Sequence, residues 1–386
     1  MIPYGRQNIS DEDIDAVIEV LKSDFITQGP IVPLFEEKIS KYCSSKYALA
    51  MNSATSALHI ACLALDVGPG DYVWTSAVSF VATANCALYC GAKIDFIDID
   101  EDFYNLSIEK LENKLQKSKK TNTLPKVLIV VHLTGQPIDM ERIHLLSKEY
   151  GFRVIEDASH AIGAKYKKEL IGNCKYSDCV VFSFHPVKII TTGEGGMLLT
   201  NNSVVFDKAN KLRTHGITKK NDDFVNQSHG PWYYEQNELG FNYRMTDIQA
   251  ALGISQLNRI DNFIKRRKEL AKSYNSSLKD FPVIIPKQHV TTESSWHLYV
   301  IRLDLVKIKK THKEIFEFLR SSGIGVQIHY IPIILHPYYE RLKFNKNEFP
   351  NSMKYYKEAI SLPIYASLSD EEQREVVKVL KKALNS

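Results

Sequence analysis

Residues 47–77 read YALAMNSATSALHIACLALDVGPGDYVWTSA. A short apolar run, Tyr47 to Met51, stops at Asn52 and Ser53, and an apolar helical pattern follows from Ala54 to about Leu65. A second strand-like run, YVWTSA, begins at Tyr72, and the alternation continues beyond it. FVATANCALYCG reads as a helix. KIDFIDID, KVLIVVHL, FRVIEDAS and DCVVFSFH read as strands closed by polar or turn residues, and GGMLLTN as one strand more. Continuous Val/Ile/Phe runs separated by helices point to an α/β fold, with a mostly parallel sheet flanked by helices on both faces.

On the N-terminal side, an extended MIPYG leads to a helix capped at Ser10, with Ile14, Val17, Ile18 and Leu21 at helical spacing. TQGP (Thr27 to Pro30) is turn chemistry, and a second helix is expected from about Pro33 to Tyr42. On the C-terminal side, one long helical pattern from about Thr246 to Leu278 reads as a connector to a smaller α+β domain. That domain holds SSWHLYVIRL as a strand, THKEIFEFLRSSG as a helix ended by Gly323, GVQIHYIP as a strand, and a last helix capped by Ser369. The expected division is 1–257 for the large domain with its N-terminal segment and 258–386 for the smaller one.

The chain has 386 residues, 44% hydrophobic and 24% charged, with 49 basic against 45 acidic residues. That balance argues against nucleic acid or an anionic membrane as partner. The basic clusters Lys117 to Lys120, Lys265 to Lys268 and Lys307 to Lys313 read as solvated faces. The opening residues carry no apolar leader-like stretch, and VLIVV is too short to span a bilayer. Six cysteines, Cys43, Cys62, Cys86, Cys90, Cys174 and Cys179, form no Cys-x-x-Cys pair, and no histidine cluster has zinc-ligand spacing, so no metal site is expected. A reducing cytoplasm is the expected setting.

In open α/β sheets, ligands bind beyond the carboxyl ends of the strands. Past YALAM come Asn52, Ser53, Ala54, Thr55 and Ser56; past FRVIE come Asp157, Ser159 and His160; in and past CVVFSF come Ser183, His185 and Lys188. Singly, each has an ordinary explanation: helix caps, a turn acid, a strand serine, structural histidines, a snorkelling lysine, and a simple glycine turn at Gly193, Gly195 and Gly196. Together they suit one cofactor. A helix N-terminus with Thr55 and Ser183 can cradle a phosphate. A carboxylate facing a pyridine nitrogen keeps the ring protonated. A desolvated lysine has a lowered pKa and attacks aldehydes. This is pyridoxal 5′-phosphate chemistry. Dinucleotide, P-loop, zincin and serine-hydrolase motifs are absent.

TQGP, NSATSALHIA, SFVATANC, HLTGQPIDM, VIEDASHAIGAKY, FSFHPVKIITTGEGGM, LRTHGI, GFNYRMTDIQAALGISQL, WHLYVIRL and SLPIY lie across nearly the whole chain. In these segments the sequence resembles the DegT/DnrJ/EryC1/StrS family of sugar aminotransferases. The resemblance implies a PLP-dependent transferase fold of type I, like aspartate aminotransferase, with a smaller C-terminal α+β domain. It implies that Lys188 bonds with the cofactor aldehyde and that Asp157 pairs with the pyridine nitrogen. Phe80 would stack on the ring, Ala54, Thr55 and Ser183 would hold the phosphate, and His160 would lie near the ring hydroxyl. Asn242 would reach the phosphate from a neighbouring subunit, which implies a homodimer with shared sites. Tyr4, Gln28, His185, Arg244, His329 and Tyr330 lie in segments that the family uses around the sugar nucleotide, and Arg244 reads equally as an interface ion-pair residue.

MIPYGRQNI, TQGP, SFHPVKIITTGEGG and PWYYEQNELGFNYRMTD look most like the subgroup of pseudaminic-acid biosynthesis. That implies transfer of an amino group from L-glutamate to C4 of a UDP-linked 4-keto-6-deoxy-N-acetylhexosamine, with 2-oxoglutarate released and the cofactor passing through its pyridoxamine 5′-phosphate form. The alternatives are a keto sugar on another nucleotide (dTDP, GDP or another UDP sugar), the family's dehydratase branch, which has histidine in place of Lys188, and a non-catalytic regulatory homologue.

Overall fold

The computed structural model describes residues 1–385; Ser386, the last residue of the second expected domain, lies outside them. The central sheet is built from β1 (Tyr47–Met51), β2 (Tyr72–Ser76), β3 (Lys93–Ile97), β4 (Val127–Val131), β5 (Arg153–Asp157), β6 (Cys179–Ser183) and β7 (Gly196–Thr200). Its order is β1-β7-β6-β5-β4-β2-β3. The pairs β2–β3, β2–β4, β4–β5 and β5–β6 are parallel, and β7 runs antiparallel to both β6 and β1. The sheet is therefore mixed and mostly parallel, as the alternating pattern implied.

Why these runs make a two-sided sheet is visible in β4, where all five residues are buried. Leu128 and Val130 face one core; Val127 and Ile129 face the other. The first core takes Phe35 and Ile39 of α1′s neighbour α2 (Ile31–Cys43), α1 itself being Asp11–Leu21. The second takes α3 (Ala54–Ala64) and α4 (Ala82–Tyr89). In α1 the Ser10 amide donates to Asp13, as the capped-helix reading requires.

The long pattern from Thr246 to Leu278 is not one helix. It forms Asp247–Leu257 and Ile260–Leu278, broken at Asn258 and Arg259. At the break the Arg259 guanidinium turns onto Asp13, which is buried, and Asn8, a contact that periodicity does not reveal. The second helix is divided in its packing: Phe263 and Ile264 join the first core of the central sheet, whereas Leu270, Tyr274 and Leu278 pack under a second sheet. That sheet has Tyr299–Leu303 at its centre, antiparallel to Val283–Ile284 and Ala359–Leu362.

The expected strand GVQIHYIP is absent. Only single bridges form there, Ile2 with Ile324 and Gln327 with Ser361. The chain is pulled off a ladder by side groups: Tyr355 Oη donates to the His329 carbonyl at 2.7 Å, and His329 Nδ1 meets Ser361 Oγ at 2.8 Å. Tyr330 is thereby turned toward the first sheet.

Candidate active site

The carboxyl ends of β4, β5 and β6, the start of α3 and the loop into α4 surround one cleft of about 790 Å³. Ala54, Thr55, Phe80, Asp157, His160, Ser183, His185, Lys188, Tyr4, His329 and Tyr330 all line it. Eleven sequence-selected residues, spread over more than three hundred positions, thus meet in one place.

At one end is the N-terminus of α3. Ser53 extends before it and its Oγ accepts the Ser56 amide at 3.1 Å. The cap is thus Ser53, supported by Asn52, whose Oδ1 accepts from Ser56 Oγ at 2.6 Å. Among the described residues no hydrogen bond occupies the Thr55 hydroxyl or the amides of Ala54 and Thr55, so this end keeps free donors for an anion. Ser183 reaches the same point through the sheet register, because Gly196 lies between Ser183 on β6 and Met51 on β1. A Cβ on Gly196 would meet the Ala54 nitrogen at 2.5 Å. Glycine is what lets β7 pass beneath the cradle without filling it.

In the middle is Asp157, the last residue of β5 and buried. Its Oδ2 accepts from Thr83 Oγ1 at 2.6 Å, and its Oδ1 from Ser159 Oγ at 2.6 Å and the Ser159 amide at 3.2 Å. Beyond β6, the turn from His185 brings Lys188 to the wall; its amide donates to the His185 carbonyl at 2.9 Å. Burial pulls the Lys188 amine down from its ordinary 10.5 to about 8, opposed by the attraction of Asp157. Gly193, at a φ of 78°, turns the chain away, and Phe184 and Gly195 rejoin by an amide-to-carbonyl bond of 2.9 Å.

Four histidines, His160, His185, His297 and His329, feel the Lys188 charge. The Thr134 amide donates to His160 Nδ1 at 3.2 Å, which leaves the ring hydrogen on Nε2, facing Tyr330 Oη at 3.1 Å. Burial, and next the Lys188 charge, hold His160 well below the usual histidine range, so it is neutral. His329 is depressed to about 3 by burial and Lys188. His297 lies behind His160, ring centroids 4.4 Å apart, and is also depressed by burial. Phe80 is 56% exposed, and its ring stands 6.0 Å from that of Tyr330. An exposed aromatic at a cleft mouth has a free face for a planar ring.

Gln28 and Arg244 are not in this cleft. They line a second one of about 940 Å³ with Thr214, His215, Lys219, Trp232 and Tyr233. The two meet because Thr27 bridges Thr246 and the Gly29 amide donates to Asp247 at 2.6 Å. Asn242 is exposed on the same segment, its carbonyl 3.5 Å from Asn52 Nδ2, and does not line the first cleft. Sequence reading missed Thr83, Ser79 and His297. Thr83 follows Phe80 by three residues, and its amide donates to the Phe80 carbonyl at 3.1 Å.

The donor set fits pyridoxal 5′-phosphate: free amides and a hydroxyl where a phosphate belongs, a bonded carboxylate where a ring nitrogen belongs, and a desolvated amine where an aldehyde belongs. Among the described residues no group of three or more His, Cys, Asp or Glu is placed to hold a metal, all six cysteines are buried and unbridged, and no helix is long and apolar enough to cross a membrane.

Comparison with known proteins gives consistent findings. The model of the DegT/DnrJ/EryC1/StrS aminotransferase family matches residues 7–381. The UDP-4-amino-4,6-dideoxy-N-acetyl-beta-L-altrosamine transaminase of Campylobacter jejuni is 39% identical over 98% of this chain and 96% of its own. Among solved structures, Helicobacter pylori PseC, an aminotransferase involved in pseudaminic-acid biosynthesis, is similar with a TM-score of 0.90 and 33% identity over 99% of each chain. Spr1654 of Streptococcus pneumoniae in its PMP form is similar with a TM-score of 0.89 and 29% identity over 99% of each chain, and its PLP form is also among the similar structures.

Proposed function

The chain belongs to the DegT/DnrJ/EryC1/StrS aminotransferase family, and from that premise we propose that it moves the amino group of L-glutamate to C4 of a UDP-linked 4-keto-6-deoxy-N-acetylhexosamine. The product is UDP-4-amino-4,6-dideoxy-N-acetyl-β-L-altrosamine. The family's enzymes are sugar aminotransferases that use pyridoxal 5′-phosphate. The observation that carries the reading is the meeting of Lys188, Asp157 and the open N-terminus of α3 in one cleft. Full-length similarity to the Campylobacter and Helicobacter enzymes supports the particular sugar.

When bound, the cofactor supplies an aldehyde that exchanges amines and a protonated ring that draws electrons from the carbon beside it. Ala54, Thr55 and Ser183 bind its phosphate, Phe80 covers a ring face, His160 stands by the ring hydroxyl, and Asp157 accepts from the ring nitrogen. Lys188, its amine pulled down to about 8 by burial, would hold the cofactor at its aldehyde carbon through Nζ. The same Nζ takes the proton at the α-carbon of L-glutamate and delivers one at the sugar C4 in the second half-reaction. Tyr4, His185, His329 and Tyr330 form the wall left for the substrate.

We further propose a homodimer in which the second cleft of one protomer completes the first cleft of the other. Among the described residues no arginine lines the first cleft, whereas L-glutamate brings two carboxylates; Arg244 lines the second cleft. Asn242 of the partner subunit would then reach the phosphate. The test is an assay of purified protein with L-glutamate against UDP-, dTDP- and GDP-linked keto sugars, with NMR of the product. Amination at C4 of the UDP-linked N-acetyl sugar supports the reading, and preference for another nucleotide or keto position overturns it.

A further inference from the structure

We infer that Thr83, backed by Ser79, is a positioning residue for the Asp157 carboxylate and so governs where the proton on the cofactor's ring nitrogen resides. The inference rests on the proposed pairing of Asp157 with that nitrogen. Thr83 lies in the first turn of α4 and is fully buried. Its Oγ1 donates to Asp157 Oδ2 at 2.6 Å, and Ser79 Oγ is 2.8 Å from the same Oγ1.

The direction of this chain is fixed by chemistry. A carboxylate only accepts, and a threonine hydroxyl has one hydrogen. Thr83 therefore spends its hydrogen on Asp157, and Ser79 must donate to Thr83. On the other oxygen, the Ser159 hydroxyl and amide fill both acceptor sites. Of the roughly four lone-pair sites of the carboxylate, one remains, on Oδ2, and Asp157 lines the cleft. The three donors thus orient the group and leave a single acceptor for the ring. Held by these donors, the carboxylate presents that acceptor to the ring nitrogen, and loss of one donor would let it turn away. Thr83 also ties this orientation to Phe80, three residues earlier on the same turn.

A buried threonine that merely satisfied its hydroxyl would affect stability alone. The separating measurement is the nitrogen resonance of ¹⁵N-labelled pyridoxal 5′-phosphate bound to wild type, Asp157→Asn, Thr83→Val and Thr83→Ser. In Thr83→Val the resonance should move partway from the wild-type position toward that of Asp157→Asn, and Thr83→Ser should restore it. Reaction with L-glutamate in Thr83→Val should slow about tenfold, with KM changed less than about twofold. A wild-type resonance in Thr83→Val, with Asp157→Asn displaced, overturns the role of Thr83 and leaves the Asp157 pairing standing. If Asp157→Asn is not displaced either, the pairing itself is wrong. Should Thr83→Val fail to fold, Ser79→Ala takes its place, with a smaller displacement in the same direction expected and a wild-type resonance counting against the inference.

Discussion

The two clefts are built on opposite plans. In the first, several polar groups stand at or beside the ends of buried strands and are oriented by a partner: Asp157 by Thr83 and Ser159, His160 by Thr134, His329 by Ser361. In the second, the walls are a loop and its flanks. Trp232 is 75% exposed and Tyr234 55% exposed, and the loop is gathered about one carboxylate, Glu235, which accepts the Val225 and Asn226 amides and the Tyr233 hydroxyl. Rigid placement suits chemistry, where misplacement by an ångström is costly. An open aromatic and basic wall suits a surface that is finished by a partner or a substrate.

The sharpest way to break this contrast is Lys188→Ala. Turnover should fall by about 10⁴ or more, because one group is both nucleophile and proton carrier, while phosphate-driven binding of the cofactor persists. Next is Arg244→Ala, which should raise KM for L-glutamate by about 10² without altering the absorbance of the bound cofactor. A cofactor spectrum disturbed as much as by Lys188→Ala would mean that the clefts do not divide the work. Thr55→Val should weaken cofactor retention about tenfold, measured by equilibrium dialysis, with KM for the sugar nucleotide unchanged.

The smallest effect concerns pH. The Lys188 amine is depressed from 10.5 to about 8 in the fold. Between these values the unfolded chain binds the proton and the folded chain does not, so stability of the cofactor-free protein rises with pH through that window. Its thermal midpoint should climb by a few degrees from pH 8 to 10 relative to Lys188→Met, which lacks the group. A flat difference between the two would contradict the desolvated amine. Attachment of the aldehyde to the cofactor-free chain should speed up as pH rises toward about 8 and level off above it.

The first cleft was legible for a physical reason. Strand ends and helix starts carry local signals, as in Met51 giving way to Asn52 and Ser53, or β5 ending on Asp157, and the rule that α/β ligands sit at carboxyl ends places them together. The second cleft, the break at Asn258 and Arg259, and the missing strand around Tyr330 are set by long-range partners instead. Arg259 turns toward Asp13, 246 positions away, and His329 is held by Ser361 and Tyr355. No local pattern encodes those contacts. Thr83 was hidden differently: its helix was read correctly, but its hydroxyl gains meaning only when Asp157 arrives from another strand.

On the proposed function, Lys188, placed beside Asp157 and the α3 N-terminus, is the lysine that bonds to pyridoxal 5′-phosphate. Borohydride reduction of the reconstituted protein, followed by peptide mapping, addresses it directly. A single phosphopyridoxyl adduct is expected on the peptide that contains Lys188. An adduct on another lysine, or none with cofactor demonstrably bound, would contradict it.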